Sequence, residues 1–368
     1  MQRFQIWVHR VLSVCLGLLL WLGLVTGSLP AVAAPLIAGL PPGNAVTDPS
    51  ALLRLSLPID NDSIRKVQTS IEDISTQVRG RRWSGVKSDV AKASSEFNRH
   101  KAEILASVPE THQAQAEPLM TQIESDLAAL QDQVSERNSE EVFATRSHLL
   151  TTVGALEALM VEGFPFDVPA EYSALPQLKG RATVEMETTK GPLTVVADGY
   201  SAPVTAGNFV DLVQRGFYNG LPFTRAEESY VLQTGDPEGS EVGFIDPKTK
   251  QYRAIPLEIL LEGDTEPLYG TTLEDAGRYL EHPVLPFSAY GTVALARPGD
   301  DPNGGSSQFF FLLFQSELTP AGANLLDGRY AVFGYAVDGK ETLGQLRQGD
   351  KILSAKVTQG LENLVQPS

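Results

Sequence analysis

The chain has 368 residues, a net charge of −16 and 42% hydrophobic content. That is globular composition with room for two domains, and 20% charged residues exclude wholesale disorder. The acidic balance argues against nucleic acid or anionic lipid as the main partner.

Residues 1–34 read as a secretory signal peptide. Arg3, His9 and Arg10 form a basic start, and VLSVCLGLLLWLGLV is an uncharged apolar core. Ala31-Val32-Ala33 then offers a small-residue cleavage motif, near Ala33 or Ala34. The apolar run is short for a bilayer span. Cleavage removes Cys15, the only cysteine, so disulfides, zinc–thiolate sites and cysteine nucleophiles are excluded from the mature chain. Taking Arg3 and Arg10 from the 29 Lys and Arg, against 45 Asp and Glu, leaves a mature charge of −18. No later stretch is long and apolar enough to span a membrane. A soluble protein of an exported compartment is therefore expected.

Residues 35–59 begin Pro- and Gly-rich and read as an extension. From 60 to 161 the period is helical. Ile64, Val67, Ile71, Ile74 and Val78 step by three and four. Trp83, Val86, Val90, Ala93 and Phe97 repeat the pattern, as do Leu119, Ile123, Leu127, Leu130 and Val134. Val142, Leu149, Val153, Leu156 and Met160 close the series. Each set is one apolar stripe on a polar helix. Ser107-x-x-Glu110 and Asn138-x-x-Glu141 have the form of capping boxes, and Gly80 is a candidate break. A helical bundle follows. His100, His112 and His148 are isolated and no Glu-x-x-His pair occurs, so no bundle metal site is expected.

Residues 162–180 hold three prolines and no period, the mark of a linker or wrapping segment. Short β-rich runs follow in 181–368: ATVEMETT, LTVVAD, TVALA, QFFFLLF, YAVFGYAV and KILSAKVT. Helical stretches interrupt them near 203–215 and 339–347. The pattern suggests a closed β-barrel with helices over its ends, so the whole chain is expected to be multi-domain α + β. This half carries no G-x-S-x-G, P-loop or HExxH motif, and His282 is its only histidine. What remains for chemistry is an arginine, amides and aromatics.

The blocks AGNFVDLVQRGFYNGLPFTR, LQTGDP, GTVALAR, NGGSSQFFFLL and LLDGRYAVFGYAVDG stand in the order found in cyclophilins, and residues 180–366 resemble that family. The resemblance implies an eight-stranded antiparallel barrel with two capping helices and a peptidyl-prolyl cis–trans isomerase. An exported helical bundle ahead of such a barrel is similar to a thylakoid-lumen subgroup that assists photosystem II assembly. That implies a lumenal or periplasmic location and proline-containing clients, photosystem II subunits among them. It implies no cofactor or metal, no nucleic acid, and no stable membrane span after processing.

Matched position by position, the family's catalytic arginine falls on Arg225. The peptide-binding positions fall on Tyr230, Val231, Gln233, Ala296, Arg297, Gln308, Phe310, Leu325 and Tyr330. Three depart from the usual pattern: Arg297 replaces an asparagine, Leu325 a tryptophan and Tyr330 a histidine. The segment 258–290 is also long for the family. Strand alternation independently sets Phe310 on the face opposite Phe309 and Phe311. Peptide-bond rotation has a barrier of about 18–20 kcal/mol. A guanidinium aimed at the prolyl nitrogen would stabilise the twisted state, with Phe310 and Tyr230 gripping the ring and Gln233 positioning peptide or guanidinium.

Two functions follow. One is isomerisation, weakened by the altered wall. The other is a catalytically inactive chaperone or assembly scaffold that binds clients through barrel and bundle. An intramolecular bundle–barrel contact, made through 162–180, would partly cover the pocket.

Overall fold

A computed structural model describes residues 46–314 and 324–367. The expected signal peptide lies outside the described residues. Helix α1 (Pro49–Leu55) comes first, with Asp48 accepting from the Ala51 N–H at its start. Four long helices then form the bundle: α2 (Asp62–Arg79), α3 (Trp83–Ala106), α4 (Glu110–Glu136) and α5 (Ser139–Met160). Of the four expected stripes only Trp83 and Leu119 are partly exposed, and the other members fill one buried core. Gly80 ends α2, and Arg81 turns the chain with a left-handed φ of 54°.

One cap is as expected and one is not. Asn138 accepts from the Glu141 N–H at 3.3 Å. Ser107 instead ends α3, and its hydroxyl donates to the Ile104 carbonyl. Pro109 is the residue ahead of α4 and supplies no side-chain cap. Pro109 disfavours helical backbone at Val108, the residue before it, so no helical turn starts at Ser107 and the box does not form. Asn138→Ala should cost about 1 kcal/mol, read as a lower Tm, because one first-turn N–H of α5 loses its acceptor.

The second half opens with β1 (Gln177–Leu178), β2 (Arg181–Thr188) and β3 (Gly191–Asp198), then α6 (Pro203–Gln214). Next come β4 (Arg225–Glu227), β5 (Val231–Thr234), β6 (Glu258–Ile259), β7 (Leu268–Tyr269), β8 (Thr292–Leu295) and β9 (Phe309–Leu312). The chain ends with β10 (Val332–Asp338), α7 (Lys340–Gln345), β11 (Ile352–Gln359) and β12 (Leu364–Val365). Eight strands make one antiparallel sheet in the order β11-β2-β3-β10-β8-β9-β5-β4.

The expected closed barrel is corrected to an open, curled sheet with β11 and β4 as its ends. The edges meet only through an irregular stretch. Gly220, Phe223, Gly349 and Ile352 make backbone bonds across it, around a single Pro222–Lys351 bridge. Pro222 has no N–H to extend a ladder, and β4 is three residues long. Inside the curl, Phe209 of α6 meets Phe309 and Phe333 at ring distances of 5.2 and 5.1 Å.

The described contact with the sheet is made by α1, the short helix ahead of the bundle, and not by the Pro-rich segment acting as a bridge. Leu52 and Leu53 join an apolar cluster on the outer sheet face with Val332 and Tyr335. Beside them Arg181 bonds the buried Asp198 carboxylate through Nε at 2.8 Å and the Ser56 hydroxyl at 2.9 Å. Ser56 also donates to Asp198 at 3.1 Å. The 162–180 segment wraps the sheet domain itself, with Phe164 against Tyr200 and Tyr172 against Tyr269.

Candidate functional site

The outer sheet face carries three of the expected residues, Arg225, Gln233 and Phe310, in one line. Arg225 on β4 lies directly across from Gln233 on β5, and Gln233 across from Phe310 on β9. Phe310 is in turn paired with Ala294 on β8, and Ala294 with Val332 on β10. Directly opposed residues share a face, so five side chains cross the sheet in a row. The neighbouring row holds Glu227, Val231 and Leu312. Phe309 and Phe311 point the other way into the inner core, whereas Phe310 belongs to the outer cluster.

Gln233 donates to the Gln308 Oε1 at 2.7 Å, and Gln308 donates to Asp236 and the Val242 carbonyl at 3.1 and 2.9 Å. The two amides are thus held on the pocket face. Gly235 permits the tight exit of β5: its φ is 92°, and a Cβ there would come within 2.3 Å of the Ser307 carbonyl. Arg225 and Tyr230 are open to solvent at one end, with the Arg225 side chain 54% and Tyr230 40% exposed. Both described hydrogen bonds of Arg225 go to Glu227.

The aromatic end is tighter. Tyr330 meets Phe310 edge-on at 5.3 Å, and Phe287 stacks on the Phe310 ring at 6.0 Å. Phe310 is left 5% exposed. Arg297 lies over the Tyr330 ring at 5.3 Å and donates to the Arg329 carbonyl at 2.9 Å. Ala296 and Val231 line the same face. Leu325 does not join the group; its side chain is 89% exposed. A leucine has neither the reach of a tryptophan nor a polar tip to fix it there.

Phe287 escaped the sequence reading, because LPFSAY has no period and lies in the long segment. What orients it is Asp327, which accepts from the Phe287 N–H at 2.8 Å and from the Asn324 N–H at 3.2 Å. Burial pushes the Asp327 carboxyl up to about 6. The long segment is also tied to α6. Glu258 accepts from the N–H groups of Val204 and Thr205 at 3.2 and 2.9 Å, satisfying the helix start from outside. Burial raises its carboxyl to about 7. A small cleft beside Tyr330 has Ser201, Glu258, Leu285 and Asp327 among its lining.

Chemically, the outer face offers a cation, two fixed amides and an apolar floor. That set can bind a peptide and polarise an amide nitrogen. Nothing in it forms a covalent bond to substrate.

Comparison with known proteins assigns a family to each half of the chain. Residues 48–161 match the family model described as the peptidyl-prolyl cis-trans isomerase CYP38-like, PsbQ-like domain. Residues 183–362 match the cyclophilin-type peptidyl-prolyl cis-trans isomerase family. The chain is 58% identical to a thylakoid-lumen peptidyl-prolyl cis-trans isomerase of Synechocystis over 95% of this chain and 94% of that one. It is 45% identical to the chloroplastic isomerase CYP38 of Arabidopsis thaliana, over 92% and 80%. A cyclophilin-type isomerase from Cryptosporidium parvum of known structure aligns at 21% identity and a TM-score of 0.34, covering 49% of this chain and 98% of that one.

Proposed function

The chain belongs to the cyclophilin-type peptidyl-prolyl cis-trans isomerase family, and we propose that it turns X-Pro bonds slowly while holding client proteins during assembly. The observation that carries this is the row Arg225–Gln233–Phe310 on one face of three adjacent strands. Phe310 and Tyr230 take the proline ring, Gln233 and Gln308 bind peptide backbone, and Arg225 donates toward the prolyl nitrogen. Uncatalysed X-Pro isomerisation takes tens to hundreds of seconds, so even a weak donor shortens a folding step usefully.

Slow turnover follows from the aromatic end. Phe287 and Tyr330 leave Phe310 only 5% exposed, and Leu325 forms no wall. The same observation favours the second reading, a scaffold that binds clients without isomerising them. We assign 60–161 and 181–368 as separate domains joined by 162–180, and residues 1–34 as an export signal. The relatives named for the thylakoid lumen and chloroplast support that compartment, and the PsbQ-like match supports photosystem II proteins as clients.

The test is a prolyl-tetrapeptide isomerisation assay on the mature chain, beside peptide titration by chemical-shift mapping. Turnover above background with shifts at Gln233 and Phe310 is expected. Binding without turnover would leave the scaffold reading standing alone.

A further inference from the structure

Beside Arg225, on the same face of β4, stands a carboxylate that the isomerase reading does not use. Strand alternation puts residues 225 and 227 on one face, while Ala226 turns toward the inner core. Arg225 lies across from Gln233 and Glu227 across from Val231, so the carboxylate sits on the same outer face, in the row next to that of Arg225. The guanidinium binds Glu227 side-on: Nε donates to Oε1 at 2.7 Å, and one terminal nitrogen donates to the same oxygen. Gln233, the neighbour directly across the ladder, is committed to Gln308. In the resting structure the one cation of the row therefore faces a carboxylate.

We propose that Glu227 is an internal mask on Arg225, a residue that sets the rate of the reaction by competing with the substrate for the guanidinium. This rests on the reading of Arg225 as donor. The twisted amide offers a freed nitrogen lone pair and gains from a nearby positive charge. A carboxylate in the fork cancels part of that charge and occupies the Nε edge, so each turnover must first draw Arg225 off Glu227. A peptide with cationic residues beside the proline compensates Glu227 as it binds; an acidic one does not. The size of the mask is bounded by the pair's exposure, 54% and 48% for the two side chains. Exposed ion pairs of this kind shift equilibria by a factor of about two to five. A competing account is that Glu227 only charges an edge strand, as edge strands often are. That account requires no link to Arg225.

The experiment measures kcat/KM of the full mature chain on a proline tetrapeptide with uncharged flanks, at about 20 mM and about 0.5 M NaCl, where screening differs severalfold. The variants are Glu227→Gln, Glu227→Ile, Arg225→Ala and Arg225→Ala/Glu227→Gln. Both single Glu227 changes should raise kcat/KM about two- to fivefold at low salt. High salt should raise the wild type and narrow that gap, and the double variant should gain nothing over Arg225→Ala. If wild type is silent and Glu227→Gln turns over, the mask is established in its strongest form. Equal or lower activity in both Glu227 variants, or silence in all, overturns it. So does a gain that persists without Arg225. Full activity in Arg225→Ala defeats the parent reading instead, since the donor itself is then misassigned.

Discussion

Arg225→Ala should lower kcat/KM for a prolyl peptide about a hundredfold, with KM little changed. The floor of the site is apolar and buried, and Gln233 and Gln308 hold each other, so ground-state binding does not depend on the guanidinium. The twisted amide does depend on it. Removing one preorganised donor from a developing charge costs about 10²–10³ in rate; the lower figure suits a site as open as this one. A hundredfold is about 2.7 kcal/mol. Arg225→Lys should recover only part, because an ammonium lacks the planar fork that reaches a target while one edge stays engaged. Steady-state kinetics with kcat and KM resolved decide the matter. Because Arg225 is exposed, Tm should stay near wild type; a fall in KM-type binding without a fall in kcat would remove Arg225 from the chemistry.

Much of this architecture was legible because period reports burial. Ile64 to Val78 or Leu149 to Met160 can bury one stripe only as helices, and they do. Phe309, Phe310 and Phe311 can alternate faces only as a strand, and Phe310 alone falls in the outer cluster. Features decided by distant partners were not legible. Helix α1 is seven residues long and sits in a segment read as an extension; its Leu52 and Leu53 gain meaning only from the sheet they cover. Open or closed was equally hidden, since it turned on one proline and a three-residue strand. Phe287 and the exposure of Leu325 depend on how the long segment folds back, which no local pattern encodes.

The same distinction explains where the molecule carries unpaired cost. Its stripes are satisfied locally, but two of its buried carboxyls, Glu157 and Glu258, serve joints between segments distant in sequence. Glu157 on α5 is fully buried, with Arg65 of α2 at 3.4 Å as its ion-pair partner. Arg65 also donates to the carbonyls of Arg54 and Leu57, both at 2.7 Å, so one cation ties α1, the turn after it and the bundle. Glu258 plays the corresponding part between the long segment and α6. Each carboxyl is kept for the connection it makes, against the cost of burying a polar group.

Stability should therefore fall as pH rises from about 5.5 to 8. Burial raises both Glu157 and Glu258 from 4.5 to about 7, in spite of the nearby Arg65 in the first case and of the helix N–H groups in the second. In the unfolded chain both ionise near the ordinary value. Between the two values the folded state holds the proton and the unfolded state does not. Stability from these groups is thus complete below about 4.5 and is lost as pH climbs through about 7. Integrated from pH 5.5 to 8, each contributes roughly 2 kcal/mol, and Asp327, raised to about 6, adds less. At about 2–4 °C per kcal/mol, Tm should drop by about 10 °C over that range. The lowered carboxyls cannot cancel this. Hydrogen bonds from Arg215, Gln366 and Arg253 hold Asp211 below 3.8 against its burial, so its contribution fails only in stronger acid. Below pH 4 the slope should accordingly reverse. Calorimetry of wild type, Glu157→Gln and Glu258→Gln across pH 4–8.5 tests the assignment, because each amide should remove part of the slope between 5.5 and 8. A Tm that rises over that interval, or amides that leave the slope intact, would mean these carboxyls stay ionised in the folded protein, with Arg65 and the start of α6 carrying their charge.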